Sequence, residues 1–204
     1  MMILSWKPPI QYNPKLIGSY DVESGAYQTP GSSFDYLALL AGQPYPKAMD
    51  TPPVFFQCKA KKLLEHDCLW LLGGIPLVSA RLADFLRQQA PADVELIQPL
   101  RLVADHQEVS QPYYIVNAIQ AVKAIDHARS EAERDEDGTL LYFNKTWFLE
   151  SAPGMGQIAR EPESGDLLIS ATLADRLIDT GFKGDKGLGL YSAERRFVPY
   201  RNNA

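Results

Sequence analysis

The sequence has little of the side-chain chemistry on which metalloproteins and many enzymes depend. It contains only two cysteines, Cys58 and Cys68, and three histidines, His66, His106 and His127. His66 lies between the cysteines, but no further ligand follows at zinc-motif spacing, so we expect reduced, partly buried thiols and neither metal nor other cofactor. No histidine stands in a recognisable nucleophile motif and no Walker lysine is present, so the sequence assigns no catalytic residue.

Long hydrophobic runs and an excess of basic residues are also missing. The longest apolar stretch, 69–78, spans ten residues and is interrupted by Gly73, Gly74 and Pro76, which is too short for a membrane span. The amino terminus lacks the basic leader and apolar run of a signal peptide, so we expect a cytoplasmic protein. The net charge of -5 argues against nucleic-acid binding and would suit a basic partner.

The composition predicts one globular domain over residues 1–204. With 204 residues, of which 46% are hydrophobic, the chain can form one sizeable core and does not require two. Residues 1–53 hold eight of the fifteen prolines, a pattern typical of turns and short edge strands. The aromatic residues of this region are too many for a disordered tail. We therefore expect a proline-rich wrap over 1–53, with a short helix at 34–41, packed on a main body over 54–204.

A ten-residue stretch occurs twice, as 77–86 and 168–177, with seven positions identical. Each copy predicts a buried strand, a serine and an amphipathic helix. Ser79 and Ser170 stand where a hydroxyl caps the first helical turn, and no Gly-x-Ser-x-Gly elbow surrounds either one, so we interpret both as structural caps. The second helix should end at Gly181.

The remaining segments predict an α+β fold of mixed or antiparallel strands with a few short helices. Pro99 should place the strand that contains it at an edge or a bulge. The glycine-rich stretch 182–191 follows a helix and precedes a strand, the reverse of a phosphate-binding loop. Residues 60–66 predict a brief helix or turn, and 120–128 fit a helix or a strand. Further strands are expected at 54–58, 67–72, 94–103, 113–119, 139–143 and 146–149, the last two around a turn at Asn144-Lys145.

The sharpest charge cluster is the run 131–138, in which five acids and one arginine end in Asp-Gly. This composition predicts a solvated loop between strands. Nearby aromatic side chains combine contact area with polar edges, as binding anchors do, although aromatic residues in strands are also typical of a core. The candidate partner-binding residues are Glu133, Asp135, Glu136, Asp137, Tyr113 and Trp147, with Tyr114 and Tyr142 beside them.

The order of these elements resembles a bacterial toxin-immunity family. The resemblance covers about 67–191 and leaves 1–66 unmatched. The family was first catalogued as a domain of unknown function and is associated with polymorphic toxin and type VI secretion loci. The matching segments are Pro76-Leu77-Val78-Ser79 with its helix, 94–103 with Pro99, 113–117 with Val122, Ala124, Ile125, Asp126 and Ser130 downstream, Leu168-Ile169-Ser170 with its helix, and Thr180-Gly181-Phe182-Lys183-Gly184.

The resemblance implies a cytoplasmic protein that binds and neutralises a cognate toxin, and it supplies no catalytic residues. Occlusion of the toxin, with the negative charge speeding the encounter, would be its mechanism. Two alternatives stay open. One is a small enzyme in which one of the three histidines pairs with a carboxylate. The other is an adaptor that uses residues 1–50 as a clamp on a partner.

Overall fold

Strands make up most of the regular structure in the computed structural model, which describes residues 2–192 and 199–201. Three α-helices lie among these residues: α1 (Ala60–Leu63), α2 (Ala80–Gln89) and α3 (Ala171–Asp179). Two 3-10 helices span Pro14–Leu16 and Tyr36–Leu40. The strands are β1 (Ile3–Trp6), β2 (Ile17–Gly18), β3 (Val54–Phe56), β4 (Cys68–Leu71), β5 (Ile75–Ser79), β6 (Val94–Ile97), β7 (Leu102–Ala104), β8 (Gln107–Glu108), β9 (Tyr113–Ala118), β10 (Glu131–Arg134), β11 (Leu140–Lys145), β12 (Ile158–Arg160), β13 (Leu167–Ser170) and β14 (Leu190–Ser192).

The strands form four open sheets, which confirms the predicted α+β class. A five-stranded sheet has the order β2-β4-β5-β9-β6 and is antiparallel except between β2 and β4. A four-stranded antiparallel sheet has the order β12-β13-β1-β14. The third sheet, β3-β7-β8, pairs β3 and β7 in parallel, and β10 pairs with β11 as a separate hairpin. No helix in the described residues is long and apolar enough to cross a membrane.

Both copies of the repeated stretch fold as predicted. The Ser79 Oγ accepts a hydrogen bond from the Leu82 amide at 3.4 Å, and the Ser170 Oγ accepts one from the Leu173 amide at 3.0 Å. The buried sides of α2 and α3 enter one core cluster together with Trp6 of β1. The helix after β5 and the helix after β13 therefore join the two larger sheets through a shared core. Gly181, with φ of +72°, follows α3 as expected.

Two predicted strands and one predicted turn are wrong. The single strand predicted over 94–103 is two strands in different sheets: β6 pairs with β9, and β7 pairs with β3. Pro99 lies between them and ends the ladder, because it has no backbone N–H to donate. The predicted turn at Asn144-Lys145 is absent, since β11 runs through it with Asn144 as the extra residue of a bulge. The predicted strand 146–149 supplies only one bridge, from Phe148 to Ile125.

The segment 131–138 differs from the predicted loop, and the structure decides between the helix and the strand that were both left open for 120–128. Only Asp135 to Gly138 form a turn, because 131–134 pair as β10. Charged side chains are accommodated in that strand since all four of its residues are exposed. No helix forms over 120–128, where Ala121 and Ile125 make isolated bridges.

The proline-rich amino-terminal region contributes directly to the interior. The proline pattern of 1–53 indicated turns and short edge strands, but β1 lies inside a sheet, between β13 and β14, and all four of its residues are buried. β2 is at the edge of its sheet, as expected. Leu16, Tyr20 and Leu39 belong to a second core cluster on the five-stranded sheet. Residues 1–50 therefore supply core side chains, which opposes their use as a separable clamp on a partner.

Candidate partner-binding surface

The acidic run lies on the β10–β11 hairpin, whose strands pair only with each other among the described residues. Glu131 lies opposite Lys145, and Glu133 lies opposite Tyr142. Since paired residues share a face of the hairpin, these four side chains form one polar face. The other face carries Phe143, whose ring packs on the body. We call the residues 129–149 with this exposed polar face the acidic hairpin surface.

The tip of the hairpin is a tight turn organised by one carboxylate. The Asp135 Oδ1 accepts hydrogen bonds from the backbone amides of Asp137 at 3.1 Å and Thr139 at 2.8 Å. Gly138 adopts a φ of +82°, and its carbonyl accepts a bond from Arg134 at 2.9 Å. Asp135 therefore shapes the turn, while the exposed carboxylates of Glu136 and Asp137 contribute charge at its tip.

The base of the hairpin is fixed to the body, so the tip has a defined position. Phe143 packs against a small core cluster that includes Ile125 and Phe148. The Leu149 amide donates to the Ala124 carbonyl at 2.8 Å, and the Asp126 amide donates to the Trp147 carbonyl at 2.8 Å. These contacts hold the segment that follows β11 against 124–126.

Trp147 lies at this base, half-buried, and is in contact with two cations. The Arg129 guanidinium lies 4.3 Å from the ring centroid and the Lys145 ammonium lies 5.3 Å from it. The Ser130 Oγ accepts a bond from the Trp147 amide at 3.0 Å, which fixes the backbone beside the ring. Cation–π contact favours this arrangement. The composition of the run 131–138 did not indicate these two cations, because Arg129 and Lys145 both lie outside it in the sequence.

The predicted aromatic anchors fall into two groups. Tyr113 does not join the acidic hairpin surface: the residue is 4% exposed, and its hydroxyl donates to the His66 carbonyl at 2.7 Å. Burial raises the pKa of that hydroxyl above its ordinary value. Tyr114 is partly buried against the same body, under the Arg87 guanidinium. Tyr142, by contrast, is 57% exposed, and so is its neighbour Leu141, which the sequence did not single out.

The three histidines do not gather at one site. His66 lines a shallow depression with Asp67, Ser79 and Arg81, and its buried Nε2 has no hydrogen-bond partner. Burial lowers the pKa of His66, and the nearby Lys62 charge lowers it further. The Ser79 hydroxyl donates to the Asp67 carboxylate at 2.9 Å and accepts from the Leu82 amide of α2 at 3.4 Å. Both hydrogen bonds are those of a structural helix cap.

His127 and His106 lie elsewhere. The His127 Nε2 is 3.2 Å from the Glu163 Oε1 on the surface, and His106 is exposed in the turn between β7 and β8. No group of three histidine, cysteine or acidic side chains is placed to hold a metal ion in the part of the chain that the structure describes. Cys58 and Cys68 are both buried and free.

The family comparison agrees with the resemblance found in the sequence and extends it. No curated protein matches the sequence. A family model matches residues 15–186, so the match includes 15–66, which lie outside the resemblance described above. It spans most of the 204 residues, including the acidic hairpin surface and both repeated corners. The chain therefore belongs to the immunity protein family Imm11.

Proposed function

We propose that this chain binds a cognate bacterial toxin and neutralises it by covering a functional surface, without catalysis of its own. The observation that carries the proposal is the acidic hairpin surface, in a member of an immunity protein family. Between 131 and 145 the hairpin carries five acidic residues and two basic ones, and all of them are exposed. A toxin that acts on an anionic substrate presents a basic surface, which this hairpin would complement.

The hairpin would act in two steps. Its exposed carboxylates first attract a basic surface and speed the encounter. Tyr142 and Leu141, which are exposed beside those charges, would then be buried in the complex and slow dissociation. Such a mixture of a charged margin and large apolar side chains is typical of protein interfaces.

The proposal includes the setting in which the protein acts. The chain would bind the toxin in the cytoplasm of the producing cell and its kin, where the toxin comes from a polymorphic toxin or type VI secretion locus. Two buried, unpaired thiols are consistent with a reducing compartment. The immunity family supports a protein toxin as the partner.

The charge step is tested with the triple variant Asp135→Asn, Glu136→Gln and Asp137→Asn. Asparagine keeps the side-chain oxygen that accepts the turn hydrogen bonds, so the variant removes charge and preserves the hairpin tip. The partner is the toxin encoded next to the gene for this chain, with its catalytic residue inactivated. We expect association to slow by about tenfold at low ionic strength and to depend less on salt.

A matched control neutralises three exposed acids away from the hairpin: Glu65→Gln, Asp84→Asn and Asp179→Asn. Each pairs with an exposed basic side chain, so its loss has little effect on stability. The control removes the same net charge and should change the association rate by about twofold at most. Equal effects of the two triple variants would show that net charge acts without the hairpin. Association of the hairpin variant at the wild-type rate would contradict the proposed role of the hairpin.

A further inference from the structure

A second surface feature is a largely apolar cleft between residues 12–25 and the paired strands β3 and β7. Its volume is about 480 Å³, within the range of sites that enclose a small ligand or a single anchor side chain. The Ser19 and Phe55 backbones exchange hydrogen bonds of 2.9 and 3.0 Å, which hold the two walls together. The apolar lining includes Tyr12, Ile17, Val22, Phe55, Leu72 and Val103.

The mouth of the cleft carries one carboxylate in an unusual backbone conformation. Asp105 and His106 form the turn between β7 and β8 with φ of +48° and +64°. Two successive left-handed residues are ordinarily asparagine and glycine in such a turn, because other side chains are strained there. Asp105 is the only acidic or basic side chain, histidine apart, among the described residues that line the cleft. A cation is therefore the charge that this mouth complements.

The apolar surface at the cleft is exposed in the isolated chain. Val22 and Tyr12 both line the cleft, and they are 68% and 43% exposed. Asp21 and Glu23 flank Val22 in the sequence, so the rim adds negative charge beside an apolar wall. A pocket with apolar walls and a charged edge is the usual setting of an interface hot spot.

We propose that this cleft receives an apolar side chain from a loop of the toxin, with an adjacent lysine or arginine of the toxin paired to Asp105. The inference rests on the proposed function and adds a second contact to it. The acidic hairpin surface governs the rate of encounter, and the cleft governs how long the complex lasts. A protein side chain is the occupant to expect, since membership of an immunity protein family implies a protein toxin as the partner.

The test compares Val22→Asp with Leu100→Asp in complexes with the adjacently encoded, inactivated toxin. Both residues are exposed aliphatics, at 68% and 73%, and both variants add one negative charge, but Leu100 does not line the cleft. Substitution at such exposed positions leaves the fold intact. We expect Val22→Asp to speed dissociation by about 10- to 100-fold and Leu100→Asp by about twofold at most.

A second variant isolates the charge at the mouth. Asp105→Asn keeps the left-handed backbone, which asparagine tolerates, and removes only the carboxylate charge. We expect it to weaken binding of the same toxin by about 5- to 20-fold. In the wild-type complex, amide hydrogen exchange should slow at 17–25 and 102–108.

The outcomes separate the two proposals. If wild-type chain does not bind the toxin, the proposed function fails and this inference fails with it. If wild-type chain binds but Val22→Asp and Leu100→Asp dissociate equally, or exchange at the cleft is unchanged in the complex, the cleft is not a toxin contact and the proposed function stands. Unchanged exchange would also be the result if the cleft serves a small molecule instead.

Discussion

The buried carboxylate of Asp93 connects the start of β6 with the segment that enters β12. It accepts hydrogen bonds from the backbone amides of Gln157 at 2.5 Å and Ile158 at 3.3 Å. Gly156 lies so close that a Cβ atom there would be 2.3 Å from the Asp93 Oδ1. Gly156 does not adopt a positive φ, so an alanine at this position is disfavoured by steric conflict with the carboxylate and not by backbone strain.

The contact between Gly156 and Asp93 predicts a double-mutant cycle in which the two destabilising effects are not additive. Gly156→Ala must displace the carboxylate from both amides and should lower the free energy of unfolding by about 2–4 kcal/mol. Asp93→Ala leaves both amides unsatisfied and should cost about 3 kcal/mol. When the carboxylate is already absent, the added methyl meets no oxygen. Gly156→Ala should then cost only about 1 kcal/mol or less, which is a coupling of about 2 kcal/mol between the sites.

Urea unfolding followed by tryptophan fluorescence measures all four chains of the cycle. Gly154→Ala is the matched control, because Gly154 has open space around it and a φ of +81°. Its cost of about 1 kcal/mol comes from backbone strain and should be the same with or without Asp93. Additive costs for Gly156→Ala and Asp93→Ala would refute the reasoning, since the clash would then not involve that carboxylate.

Two further predictions concern the repeated corners. Ser170→Ala should lower the free energy of unfolding by about 2 kcal/mol and Ser79→Ala by about 1 kcal/mol, because Ser170 is fully buried and has the shorter cap bond. Urea unfolding measures the difference, and equal costs would contradict it. Burial alone raises the pKa of Asp67, but hydrogen bonds from Arg81, the Lys183 amide and Ser79 outweigh it and lower the pKa below 3.8. The resulting stability is present above about pH 4 and is lost as the pH falls through the lowered pKa, so Asp67→Asn should flatten the loss of stability in acid.

The repeated corners were predictable because their signals are local. An apolar strand, a capping serine and a helical stripe of leucines lie within ten consecutive residues in each copy. The hydrogen bonds that shape the corner join residues three apart. Nothing distant has to be known to place Ser79 and Ser170 correctly.

The position of β1 could not be read in the same way. Its residues Ile3-Leu4-Ser5-Trp6 are too few to show an alternation, and prolines follow at once. Both strands that pair with β1 lie more than 160 residues away in the chain, at β13 and β14. Pairing at such separation depends on the whole core and leaves no local pattern.

The candidate site was predictable only where its signal is local in the sequence. Composition alone identified the acidic run and Trp147. The exposure of Leu141 and Tyr142 depends on two bulges that shift the register between β10 and β11, which the sequence did not indicate. The cleft is assembled from four separate segments, near Tyr12, Phe55, Leu72 and Asp105, so no local motif marks it.

The most direct test of the account is a titration of the adjacently encoded toxin, in its active form, with this chain. If the chain neutralises the toxin by occlusion, toxin activity should fall in proportion to the chain added and reach its minimum at a fixed stoichiometric ratio. The inhibition should be complete upon mixing and should reverse when the complex is separated under denaturing conditions and the toxin is refolded. Loss of activity that continues with time when the toxin is in large excess would show turnover, and would contradict neutralisation by binding alone.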